Sequence, residues 1–85
     1  MKFLASNQMK QAPNAEVMAL FPAEQARVAE LMAQGVLETL YVAADYSKAW
    51  LVFQTESEEI ARQAVESLPL HKFLQVELTP LAEMG

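Results

Sequence analysis

The stretch Ala49-Trp50-Leu51-Val52-Phe53 admits few folds. It has the length and the aromatic and β-branched content of a strand. Successive side chains of a strand point to opposite faces, so Ala49, Leu51 and Phe53 form one set and Trp50 and Val52 the other. Both sets are apolar, and neither can be left facing water. In a chain of 85 residues, one layer of helices covers one side of a sheet and a different partner has to cover the second.

The rest of the chain supplies that sheet. Lys2 to Met9 reads as a first strand, followed by the polar loop Lys10-Gln11-Ala12-Pro13-Asn14. Asn14 is placed to cap a helix in which Val17, Leu20, Phe21, Val28, Leu31 and Met32 recur near helical spacing, and Gly35 ends it. Pro22 has no N–H to give, so the pattern predicts a short turn before it and the main helix after it. Val36 to Ala43 and Ala49 to Thr55 flank the turn-like Ala44-Asp45-Tyr46-Ser47-Lys48 and form a hairpin. Ser57 or Thr55 caps a second helix with Glu58 and Glu59 at its start, an apolar stripe of Ile60, Ala61, Ala64, Val65 and Leu68, and an end at Pro69. Lys72 to Thr79 alternates as a fourth strand, with Leu74, Val76 and Leu78 toward the helices and Phe73, Gln75 and Glu77 away from them, before Pro80 and a short tail.

This order, βαββαβ, predicts a ferredoxin-like α+β domain over residues 1–85: an antiparallel four-stranded sheet with two helices on one face. The bare face would carry an aromatic patch that soluble monomers seldom tolerate, which points to a homo-oligomer in which two sheets pack face to face, a dimeric α+β barrel.

Composition narrows the remaining choices. There is no cysteine and only one histidine, so neither a disulfide framework nor a zinc site is expected, and no cofactor is implied. The 53% hydrophobic content leaves apolar surface for an interface. A net charge of −5, with Glu56, Glu58, Glu59 and Glu66 crowded together, argues against nucleic acid as a partner. No apolar run is long enough for a membrane span, and Met1-Lys2-Phe3-Leu4 lacks the core of a signal peptide, so the expected address is cytoplasmic.

Leu68-Pro69-Leu70, the aromatic Phe73 and then Val76-Glu77, together with the run from Gly35 through the hairpin to Val52-Phe53, resemble the muconolactone isomerase family. The similarity extends without gaps from about Glu24 to Leu78. It implies a dimeric α+β barrel and a cofactor-free isomerase that shifts a proton along a small unsaturated lactone bearing a carboxylate. Such a reaction asks for an acid/base group in an apolar pocket and a cation for the carboxylate. Glu24 matches a glutamate of the family and is the implied base. The chain departs from the family where basic or imidazole groups are expected, carrying Glu38, Thr39, Val42 and Tyr46 instead.

Each candidate residue has a plainer reading beside the functional one. Glu24 is either the base or a first-turn helix residue satisfying free N–H groups. Arg27, Lys48 or Lys72 could bind a carboxylate or simply be solvated. His71, the only imidazole, and Tyr41 are candidate proton donors. Trp50 and Phe73 could wall a pocket for a small organic ligand, with Arg27 binding its charge, or belong to interface core together with Tyr41 and Phe53. A non-catalytic oligomer that binds a small molecule or serves assembly is therefore the alternative to the isomerase. A monooxygenase of the same barrel class, with His71 as its one imidazole, is a weaker one.

Overall fold

The computed structural model describes residues 1–12 and 14–82. Its elements are β1 (Lys2–Met9), α1 (Ala15–Ala19), α2 (Phe21–Ala33), β2 (Leu37–Val42), β3 (Lys48–Gln54), α3 (Glu58–Glu66), a 3₁₀ turn (His71–Phe73) and β4 (Leu74–Leu81). The strands form one antiparallel sheet in the order β2-β3-β1-β4, the ferredoxin-like arrangement. Pro13 of the expected loop and residues 83–85 of the expected tail lie outside the described residues.

Local chemistry fixes the helices. Asn14 accepts the Val17 N–H at 2.9 Å and caps α1. The chain breaks at Leu20, and α2 restarts with Pro22 in its first turn, where a missing N–H costs nothing. At the far end Val36 N–H returns to Leu31 O and Gly35 N–H to Met32 O, while Gly35 adopts φ +75°. This is a Schellman end, and its left-handed residue is glycine for want of a Cβ. Ser57, not Thr55, caps α3 by accepting the Ile60 N–H at 3.3 Å; the Thr55 hydroxyl donates to Ser57 O instead.

Five details differ from the sequence pattern. α3 stops at Glu66 rather than Pro69, because Pro69 disfavours helical geometry at Leu68 and the last turn tightens through Leu68 N–H to Val65 O. Its buried stripe is Ala61, Ala64, Val65 and Leu68, with Ile60 outside it. The fourth strand begins at Leu74, since His71 N–H to Leu68 O and Phe73 N–H to Leu70 O hold the preceding residues in the 3₁₀ turn. Phe73 therefore has no place on the open sheet face. The strand also runs through Pro80, which β4 accommodates because it lies at the sheet edge. In α2, Phe21 and Met32 stay exposed; Leu31 carries the burial.

Packing divides the sheet into two unlike faces. Phe3, Ala5, Leu37, Leu51 and Phe53 meet Leu31, Ala61, Ala64, Val65 and Leu68 in the core. The opposite face carries Leu4, Trp50 and Val52, all half-buried, with Thr39 and exposed Tyr41. Beyond Leu4, its β1–β4 half is polar instead: Ser6 lies opposite Glu77 and Gln8 opposite Gln75. The aromatic surface is thus confined to the β2–β3 half. Among the described residues no helix is long and apolar enough to cross a membrane.

Candidate functional site

Glu24 sits one turn into α2, and its Oε1 accepts the backbone N–H of Leu70 at 3.0 Å, across the gap to the segment between α3 and β4. Burial pushes its carboxyl above the ordinary value, and the Leu70 bond offsets only part of that. One turn on, Arg27 donates from Nε to Ser67 Oγ at 3.0 Å and approaches Glu30 at 3.4 Å. Ser67 in turn donates to Ala64 O at 2.6 Å. The start of α2 is thereby stitched at two points to the chain that leaves α3. Glu24 accepts an N–H group of another element rather than one at its own helix start, and it is held partly desolvated.

His71 follows Leu70 directly. Its ring lines a cleft of about 120 Å³ between α3 and β4, with Arg62 and Glu66 at the rim and Val65, Val76 and Leu78 as the apolar wall. The Nδ1 atom is enclosed and has no hydrogen-bond partner among the described residues. Glu24 and His71 are thus brought to the same end of the helix-covered side, linked through Leu70.

Asn7 was not singled out by the sequence reading. It belongs to the helix-facing set of β1 with Phe3 and Ala5 and is 5% exposed. Its Nδ2 donates to Ala5 O at 3.1 Å and Ala49 O at 3.5 Å, while Oδ1 has no partner. The alternation of β1 held the signal: an asparagine at an inward position next to Phe3 and Ala5 is a polar group where only apolar ones are needed.

Tyr41 and Trp50 lie on the other side of the sheet. They are cross-strand partners on the open face, and Tyr41 is 63% exposed. Trp50 borders a shallow depression of about 570 Å³ with Ser6, Gln8, Lys48, Gln75 and Glu77. Phe73, half-buried in the 3₁₀ turn, borders neither cavity and lies under Lys72 Nζ, 5.1 Å from its ring centre. Within one protomer the sheet separates Tyr41 and Trp50 from Glu24, Arg27 and His71. Asp45 is a turn residue: its Oδ1 accepts the Ser47 hydroxyl at 2.7 Å and the Ser47 N–H at 3.0 Å, which lowers its pKa. Among the described residues no cluster of His, Asp or Glu could hold a metal ion.

Comparison with solved structures places this geometry. The chain superposes on muconolactone isomerase with a TM-score of 0.82 at 23% identity, covering 99% of this chain and 91% of that one. It superposes with a TM-score of 0.80 at 17% identity on the 5-chloro-2-hydroxyhydroquinone dehydrochlorinase of Burkholderia phenoliruptrix AC1100, in complex with 2,5-dihydroxybenzoquinone, covering 99% and 96%. At these identities the likeness establishes the fold. Among curated proteins, sequence comparison finds no match. The model of the muconolactone delta-isomerase family matches residues 1–84, so the chain belongs to that family.

Proposed function

We propose that this protein is a cofactor-free acid/base enzyme that moves a proton within a small unsaturated lactone or related organic acid, with Glu24 as the base. The observation that carries the reading is the Glu24 carboxyl itself: partly buried, raised in pKa, and held by Leu70 beside the loop that bears the only imidazole. A carboxylate whose pKa approaches the working pH accepts a carbon-bound proton more readily than a fully solvated one. Glu24 would take the proton from a carbon next to the carbonyl, the electron pair would shift along the conjugated system, and a proton would return at the far carbon from Glu24 or His71. Arg27 stands one turn away and could meet the substrate carboxylate if it released Ser67.

The open face enters this reading through a second copy. Two protomers meeting over the β2–β3 half would cover Trp50, Val52 and Tyr41, the apolar side chains the helices cannot reach. Tyr41 and Trp50 would then face the space between the sheets rather than solvent.

A second reading is favoured by one specific observation. Oε1 of Glu24 and Nε of Arg27 are already engaged in the stitch between α2 and the loop, as purely structural groups would be. A small-molecule-binding oligomer without turnover would look the same.

Ultraviolet assay of the purified protein with muconolactone separates the two. Turnover is expected, with Glu24→Gln slower by about 100-fold or more and an unchanged circular dichroism spectrum, because glutamine can still accept the Leu70 N–H. Absence of turnover at high protein concentration would leave the binding reading.

A further inference from the structure

Cations are the scarcer charge in this chain, six against eleven acids. Four of the six are paired: Lys2 with Glu38, Arg27 with Glu30, Arg62 with Glu58 and Lys72 with Glu16. The other two, Lys10 and Lys48, have no carboxylate partner among the described residues, and both line the shallow depression on the open face of the sheet. Lys10 Nζ spends one bond on Lys72 O at 3.3 Å, which leaves its charge uncompensated. Asp45 feels the charge of Lys48 without reaching ion-pair contact, and its Oδ1 is taken by Ser47. Two uncommitted cations at one place in an acidic protein draw an anion from solution.

The register shows what else that anion would meet. Lys48, Gln8 and Gln75 form one cross-strand row over β3, β1 and β4, and Trp50, Ser6 and Glu77 form the next. Ser6 is the shortest of these side chains, so the longer ones around it become walls. Lys48 and Trp50 are two residues apart on one face of one strand, about 7 Å. A flat ring laid against the indole therefore carries an attached carboxylate to the ammonium. The amides of Gln8 and Gln75 lie along the same row as Lys48 and can donate to the other carboxylate oxygen. Glu77 limits the charge: with two cations and one carboxylate the depression has one positive charge to spare, which one carboxylate neutralises and a second overshoots. At about 570 Å³ the space falls in the range of small-molecule sites.

From this we infer that the depression is a binding site for a flat aromatic acid with a single carboxylate, its ring against Trp50 and its carboxylate on Lys48 and Lys10. The site lies across the sheet from Glu24 and is complete within one chain, so it stands whether or not the protein turns over a lactone. A second copy meeting over the β2–β3 half would roof it without filling it, because Ser6, Gln8, Gln75 and Glu77 belong to the other half.

Titration with benzoate, benzamide and cyclohexanecarboxylate tests it, and Trp50, the only tryptophan, reports by its fluorescence. Benzoate should shift the emission saturably and, in ¹⁵N-labelled protein, move the amide signals of Ser6, Gln8 and Trp50. Benzamide keeps the ring without the charge and should bind about tenfold more weakly. Cyclohexanecarboxylate keeps the charge without the flat ring and should bind about fivefold more weakly. Lys48→Gln, at an exposed position where folding is not at risk, should weaken benzoate about tenfold and leave benzamide unchanged. Arg62→Gln removes an exposed cation of α3 and should change neither. Benzamide or cyclohexanecarboxylate binding as tightly as benzoate, a Lys48→Gln variant that binds benzoate like the wild type, or a Trp50 emission that follows protein concentration but not benzoate would overturn the assignment.

Discussion

The two faces of the sheet are built from the same strands and obey different rules. On the helix-covered face Phe3 and Phe53 are cross-strand partners, 1% and 0% exposed. On the open face the next pair along, Leu4 and Val52, is only half-buried, and beyond it Ser6 faces Trp50. β3 is apolar on both sides, but β1 and β4 turn Ser6, Gln8, Gln75 and Glu77 outward. The helix-covered face is finished within one chain, whereas the open face is finished along one half only. An oily half beside a polar half suits a contact that seals at one side and leaves a wet space at the other.

Truncation on each face gives the largest contrast. Phe53→Ala removes a fully buried ring from the centre of the core and should cost about 3–5 kcal/mol in urea denaturation. Trp50→Ala, three residues earlier and on the opposite face, should cost a dilute monomer about 1–2 kcal/mol, because the indole is already partly wet. Its main effect should appear in sedimentation equilibrium, as self-association weakened by about 30-fold, the size expected of a buried aromatic anchor. If both variants associate like the wild type, the open face is not where copies meet, and the distinction between a finished and an unfinished face loses its meaning.

Glu24 sharpens the comparison from the covered side, where it is a partly buried ionisable group. Its folded pKa lies above the ordinary value of 4.5, so between the two the folded protein binds the proton more tightly than the unfolded chain. The stability that Glu24 contributes is therefore full below about 4.5, falls as pH rises through its folded pKa, and levels off above it. Glu24→Gln should remove that decline while keeping an acceptor for Leu70, and at neutral pH should be as stable as the wild type or slightly more so. Glu24→Ala leaves the Leu70 N–H without its acceptor and should lose about 1–3 kcal/mol at any pH. Denaturation of the three proteins from pH 4 to 7 decides it; parallel curves for glutamate and glutamine would mean that Glu24 titrates as an ordinary surface carboxyl.

The sequence made much of this legible because local and global signals agreed. Asn14, Pro22 and Gly35 each stand where a cap, a helix start and a left-handed end require that residue type, and the structure uses all three. The family resemblance rested on Leu68-Pro69-Leu70, and Leu70 is the residue whose N–H Glu24 holds. What could not be read was which side of the sheet each candidate faces. Tyr41 and His71 are both polar-tipped rings near strand ends, but only the register shows that the sheet lies between them. Asn7 escaped because a polar residue near a strand end looks like ordinary alternation until its neighbours Phe3 and Ala5 prove to be inward. The bounds of β4 differ from the pattern because Lys72-Phe73 carries no Gly, Asn or Asp to mark a turn before the strand, and because Pro80 signals an end only in a central strand.

Strand β2 offers the subtlest test of the two faces, since in it Leu37 and Leu40, three apart, both point inward. A strand alternates with period two, so one extra residue must be absorbed between them. The register shows where: Leu37 is opposite Phe53 and Thr39 is opposite Val52, which leaves Glu38 as the bulge. Deleting Glu38 would leave every one of these pairs intact, with Leu40 still against Leu51 and Tyr41 still beside Trp50. The change would cost only the 3.1 Å contact between Lys2 and Glu38, an exposed ion pair worth about 0–1 kcal/mol. The deletion variant should therefore fold, with stability within about 1 kcal/mol of the wild type, and its Trp50 fluorescence should be unchanged. A blue- or red-shifted Trp50 in that variant would show that the bulge, rather than the alternation of Leu37, Thr39, Leu40 and Tyr41, decides which side chains β2 sends to each face.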